Sequence, residues 1–215
     1  MSAPRLELLH ARPTTESPGR LPILFVHGSY CGAWVWSETF LPYFARAGFA
    51  AYAVSLRGHG DSEGDLALAS LSDYVQDVSA AIAHLGGRCI LVGHSMGGIV
   101  AQHCFGDGDS VAALVLLASV PPSGLANSAM TLMMTSPDLM VQFGLLQSLG
   151  PSAVTSDVIR RAILSDATPA AEVARLLPQF QTESHTISLE LMTPPPPRRP
   201  APARPVLVLG EAPIR

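Results

Sequence analysis

The chain has 215 residues, 48% of them hydrophobic and 14% charged, with a formal net charge of −4. That length fits one domain, or one domain with a small appendage, and so little charge favours a large apolar core. A negative balance without a dense basic patch argues against nucleic acid as a partner, and the longest mid-chain apolar run, residues 111–118, is far too short to span a bilayer. Residues 1–20 hold no apolar stretch of signal-peptide length, so a cytoplasmic location is the expectation. Cys31, Cys89 and Cys104 are odd in number and widely spaced, which argues against a disulfide framework or a zinc site. The histidines show no metal-ligand spacing, and no metal or organic cofactor is implied.

Strand and helix signals alternate along the chain. Residues 6–9 read as a short edge strand and the apolar run 23–26 as a central strand. Residues 34–46 read as a helix stopped by Gly48, and 49–55 as the next strand. Ser72 is a good N-cap for a helix to Leu85 with Val75, Val78 and Ile82 on one face, stopped by Gly86-Gly87. A strand from Cys89, a Gly-rich turn, a helix over 98–105 and a strand over 111–118 follow. This order predicts an α/β fold, a mostly parallel sheet with helices on both faces. Ligands then bind at the carboxyl ends of the strands, where His27-Gly28, Arg57-Gly58 and Ser95 fall.

Beyond Pro121-Pro122-Ser123-Gly124 the pattern changes. Residues 125–192 contain helix-like stretches and no convincing strand, and they include Met130, Met133, Met134 and Met140. Such a segment suits either ordinary packing onto the core or an adaptable apolar wall for a greasy substrate. The Pro-rich stretch 193–205 reads as a stiff connector leading to a last strand, 206–209.

The stretch that carries chemistry is Gly93-His94-Ser95-Met96-Gly97, where an apolar strand turns sharply into a helix. This is the pattern of a nucleophile elbow, in which the turn exposes a serine hydroxyl and the glycines clear the crowded junction. With His27-Gly28-Ser29 after one strand and Arg57-Gly58-His59-Gly60-Asp61-Ser62 after the next, the chain resembles the α/β-hydrolase family over residues 20–210. The likeness is to the small single-domain branch with a helical lid. The resemblance implies a core of residues 1–124 and 200–215, and a lid with its connector over 125–199.

It also implies roles. Ser95 is the nucleophile, and the backbone N–H groups of Ser29 and Met96 form the oxyanion hole. His27 and Gly28 support the oxyanion loop, while Gly93, His94 and Gly97 shape the elbow. His27, His59 and His94 are structural, since none matches the base in the chain order serine, acid, histidine. The acid is expected shortly after Gly210 and the base beyond a further strand. Glu211 alone lies there, earlier than the family's acid, and no histidine follows. The expectation is therefore a fold lacking the last strand and helices, with the acid and base of the triad outside this sequence.

Two functions stay open. One is a serine hydrolase of small or lipophilic ester, thioester or similar acyl substrates, its activity in doubt without the full triad. The other is a catalytically inactive, hydrolase-like binding protein or truncated gene product. A serine at the elbow, and not an aspartate, disfavours the family's carboxylate-nucleophile enzymes. The apolar strand 206–209, open on one side, is also expected to promote self-association.

Overall fold

The computed structural model describes residues 4–13, 15, 19–106, 108–165, 167–197 and 204–210. Strands β1 (Leu8–Ala11), β2 (Ile23–Val26), β3 (Ala51–Val54), β4 (Cys89–His94), β5 (Val111–Leu117) and β6 (Val206–Leu209) form one sheet in the order β1-β3-β2-β4-β5-β6. Every neighbouring pair is parallel except β1 with β3, which is antiparallel.

Strand alternation sends successive side chains to opposite faces, and helices cover both. Leu24, Val26, Val54, Leu91 and Leu114 pack beneath α2 (Leu71–His84) and α3 (Met96–Gly106). Ile23, Phe25, Ala51, Ala53 and Val92 face α1 (Phe40–Arg46) and Trp36. All four residues of β2 are buried, which is why its sequence is an unbroken apolar run. In the register of the sheet Val26 lies between Val54 and Gly93. The residues that follow, His27, Ser55 and His94, therefore emerge side by side at one end of the sheet.

Three local expectations are corrected. The edge strand starts two residues later than the pattern suggested. The helix expected over 34–46 is split into a 3-10 turn, Ala33–Trp36, and α1. Pro42 explains the restart: it fits the first turn of a helix, where its missing N–H has no partner, but it would break a longer one. Finally, the cap of α2 is Ser70 and not Ser72. Ser70 accepts from the Asp73 N–H, and the Asp73 carboxylate accepts from the Ser70 N–H, a reciprocal box that satisfies two end donors.

Between β5 and β6 run α4 (Ala126–Thr135), α5 (Pro137–Leu149), α6 (Ser156–Ala162), α7 (Ala170–Leu176) and α8 (His185–Glu190), with no strand among the described residues. This insertion docks at two places. Leu146, Ile159 and Phe180 pack on Cys31 beside Tyr30 and Trp34, while Ile187 and Leu191 join the core under α2 and α3. Helix α4 buries none of its residues, and Met130, Met133 and Met134 are exposed, so ordinary core packing does not account for them. At the far side of the sheet, among the described residues, β6 pairs only with β5, and each of its residues is at least 50% exposed. The Pro-rich connector is described only in part, residues 198–203 lying outside the described residues.

Removing the observed cap separates it from the expected one. Ser70→Ala is expected to lower unfolding stability by about 1 kcal/mol, and Ser72→Ala, at an exposed helical position, by no more than a few tenths, as read by urea titration.

Candidate active site

Ser95 is the single residue between the end of β4 and the start of α3, and its φ is 51°. That left-handed conformation costs a residue with a Cβ roughly 1–2 kcal/mol, so the surroundings must impose it. Its N–H donates to the Leu117 carbonyl at 3.0 Å, and its carbonyl accepts from the N–H groups of Gly98 at 2.9 Å and Val120 at 3.1 Å. Both flanking glycines are required by space. A Cβ on Gly93 would stand 2.7 Å from the Gly98 Cα, and one on Gly97 would stand 2.6 Å from the Val26 carbonyl oxygen. Ser95 itself stays partly exposed.

The loop after β2 crosses the elbow closely. A Cβ on Gly28 would lie 3.1 Å from the Ser95 Cβ and 2.9 Å from His94 Nδ1. Ser29 Oγ donates to the Met96 sulfur at 3.4 Å, which brings Ser29, Ser95 and Met96 together. Among the described residues the Ser29 N–H has no protein acceptor. The Met96 N–H opens α3, where first-turn donors have no intrahelical partner and the helix end carries partial positive charge. Two N–H donors beside a serine can stabilise charge developing on an acyl oxygen.

The three nearby histidines are each engaged elsewhere. His27 Nε2 lies 3.1 Å from the Leu56 N–H, which can only donate, so the proton sits on Nδ1 and is given to the Gly28 carbonyl at 2.8 Å. Burial, reinforced by His59 and His94 and partly opposed by the Gly28 bond, pushes its pKa down to about 3. His59 is fully buried, with Nδ1 3.2 Å from the Arg57 carbonyl and Nε2 3.3 Å from Glu183 Oε2. His94 packs against Trp36 at 6.4 Å between ring centroids, and burial lowers its pKa. Among the described residues no histidine is hydrogen-bonded to the Ser95 hydroxyl. Glu211, the candidate considered for the acid, lies outside the described residues.

Sequence reasoning missed the supports of the neighbouring loop. Arg57 grips Asp77 through Nε and Nη2 and reaches Asp73 through Nη1 at 2.6 Å; the Asp77 bond raises the pKa of its guanidinium, so its charge is permanent. Glu183 and Tyr74 were also missed. Nothing around Glu183 in the sequence marks it, because its partners come from distant elements. Cys31 is buried and its thiol is pushed up to about 12, first by burial and then by Glu183, so it is an unreactive core residue. The described residues contain no group of three potential metal ligands among His, Cys, Asp and Glu. They contain no helix long and apolar enough to cross a membrane.

A cleft of about 380 Å³ opens beside His94. Trp34, Trp36, Phe40, Leu164 and Phe180 wall it, together with His94, while Ser95 stands next to it and not in its wall. The wall is mostly aromatic and aliphatic but also carries Glu38, Glu172 and Arg175; the exposed methionines of α4 take no part in it.

The model of the "Alpha/beta hydrolase family" matches residues 23–213. The chain belongs to that family. It is 36% identical over 107 residues to a non-heme haloperoxidase of Rhodococcus erythropolis, a match covering 47% of the chain and 38% of the relative. It is 37% identical over 78 residues to putative methylesterase 11, chloroplastic, of Arabidopsis thaliana, covering 35% of the chain and 20% of the relative. The chain thus matches well under half the length of either relative. A solved carboxylesterase structure from Nitrososphaera gargenis superposes with a TM-score of 0.64 at 17% identity, covering 89% of this chain and 69% of that one, a likeness of fold.

Within this α/β-hydrolase fold, the neutral His27 makes a pH-dependent contribution to stability. Its folded-state value is lowered from 6.5 to about 3. Between those values the unfolded chain takes up a proton that the folded chain refuses. Stability from this group is therefore fully present above pH 6.5 and declines as pH falls toward 3, by up to about 1.4 kcal/mol per pH unit. Urea midpoints measured across that window are expected to fall with pH, and His27→Gln is expected to flatten the slope.

Proposed function

We propose that this chain carries the nucleophile and oxyanion hole of a serine hydrolase acting on small or lipophilic ester, thioester or similar acyl compounds. The observation that supports this best is Ser95 at a φ of 51° on the β4–α3 turn, with the Gly28-Ser29 loop folded against it. The Ser95 Oγ attacks the acyl carbonyl carbon, and its proton passes to a base as the new C–O bond forms. The carbonyl electrons move to oxygen, to which the N–H groups of Ser29 and Met96 donate hydrogen bonds, each such donor typically being worth about 3 kcal/mol. Collapse expels the alcohol or thiol with a proton from the same base, and water then hydrolyses the acyl-serine. The relative named as a methylesterase agrees with an ester substrate.

Residues 125–199 act as a lid in this reading. Support comes from Leu146, Ile159 and Phe180, which pack against Cys31 beside Tyr30 of the oxyanion loop, and from the cleft that Ile163, Leu164, Leu176 and Phe180 of the same segment help line. A second reading is favoured by one observation: no histidine of the described residues reaches the Ser95 hydroxyl. A serine without a base keeps its proton, and loss of the histidine in a serine protease removes about 10⁶ in turnover. In that reading the fold binds an acyl compound without turning it over.

A fluorophosphonate probe and an activated p-nitrophenyl ester decide between the two. Labelling and hydrolysis by the parent are expected, and both are expected to drop to background in Ser95→Ala. A folded parent that neither labels nor hydrolyses would rule out the enzyme for this chain and leave the binding protein. Self-association through β6 is tested separately. The Val206–Leu209 edge is apolar and exposed on both faces, and such an edge pairs readily with another strand. Val208→Lys is expected to weaken concentration-dependent association in analytical ultracentrifugation.

A further inference from the structure

The interior next to the oxyanion loop contains a charged network that the proposed chemistry does not use. Glu183 is 3% exposed and His59 is 0% exposed, yet they are paired at 3.3 Å. Glu183 belongs to the insertion, between Phe180 and α8. Its Oε1 accepts from the Tyr74 hydroxyl and from the Ser184 N–H, both at 2.8 Å. Its Oε2 faces His59 Nε2, whose other ring nitrogen faces the Arg57 carbonyl. Two acceptors call for two N–H donors, so the geometry is met by an imidazolium against a carboxylate. A buried pair of this kind is stable only with its remaining hydrogen bonds made, and here they are.

The network leads toward Ser29. The His59 ring packs on the His27 ring at 4.8 Å between centroids, and His27 holds the Gly28 carbonyl. Two further bonds from the insertion reach the same loop. The Gln181 N–H donates to the Tyr30 carbonyl at 3.0 Å, and the Tyr30 hydroxyl donates to Gln147, which in turn donates to the Glu183 carbonyl at 2.9 Å. Tyr30 has a φ of 67°, a conformation that outside contacts must hold. The Gln181 side chain also bridges Gly58 and Gly60 of the loop after β3, so that Gln181, through its N–H on Tyr30, ties that loop to the one after β2.

We propose that Glu183 is a positioning residue: its carboxylate, carried in by the insertion, fixes His59 and through His27 sets the Gly28-Ser29-Tyr30 backbone. The catalytic part of this rests on the serine-hydrolase reading; the structural coupling does not. The insertion thereby does more than cover the site. It supplies the buried charge against which the oxyanion loop is braced, so the loop is held in place only with the insertion docked.

The test is residue-resolved amide hydrogen exchange on Glu183→Gln, which keeps the side-chain shape and removes the charge. Exchange at Leu56 and Gln181, whose N–H groups donate to His27 Nε2 and to the Tyr30 carbonyl, is expected to rise about tenfold or more, the loss of one charge-assisted hydrogen bond, while Leu91 and Val92 in β4 stay protected. No change at Leu56 and Gln181, or an equal rise across the whole sheet, would overturn the proposal. Ring ¹⁵N spectra of the parent at pH 7 give an answer that does not depend on the variant folding. Two protonated nitrogens are expected on His59 and one, Nδ1, on His27; a neutral His59 would refute the arrangement. If the parent labels with fluorophosphonate, Glu183→Gln is expected to slow labelling of Ser95 about tenfold, and an unchanged rate counts against the proposal. A parent that does not label defeats the hydrolase reading alone, and the exchange and ring spectra still decide the role of Glu183.

Discussion

The structure depends on a backbone bend that its own residue would not choose. Ser95 sits in the left-handed region because β5 accepts its N–H, α3 and Val120 donate to its carbonyl, and Gly93 and Gly97 let strand, helix and the end of β2 approach within contact distance. The cost of the bend is of order 1 kcal/mol, small beside the core that β2, β4 and β5 bury on both faces. The sheet can hold the strain because it is rigid there. Moving Ser95 would disturb three strands at once.

Around that bend the molecule concentrates its few buried polar groups. Among the described residues His27, Ser55, His59, Asp77, Glu183 and Ser184 are the buried polar ones, and His27, Ser55 and His59 lie at or just beyond the carboxyl ends of β2 and β3. Loops that must carry exposed functional groups cannot be fixed by apolar packing alone. Hydrogen bonds with directional demands do this instead, as His27 shows, where one ring nitrogen accepts from a backbone N–H and the other donates to a carbonyl. Such a site is held in one tautomer by its neighbours, and burial removes the option of charge. Arg57 plays the corresponding part in the next loop, pinned by two aspartates of α2.

The insertion between β5 and β6 has a divided character. Its α5, α6 and α8 contribute buried side chains to two clusters, whereas α4 contributes none and leaves its methionines in solvent. Composition alone made these helices look alike. The difference lies in where each one touches the core, which sequence periodicity does not report for short helices of mixed polarity.

The sequence by itself determined the α/β class, all six strands to within two residues at either end, the family, and the elbow around Ser95. These features are local: apolar runs of strand length, glycines at fixed offsets, and a serine between them are written in consecutive residues. The sequence also pointed to Ser29 and Met96, because both follow directly from the motifs. Only the tertiary structure decided that Ser70 and not Ser72 caps α2, since both are plausible until Asp73 takes its place against Arg57. It alone brought Glu183 to His59 across 124 positions of the chain. A carboxylate in a loop carries no mark of burial in its own neighbourhood. Its meaning comes from the partners that folding places around it.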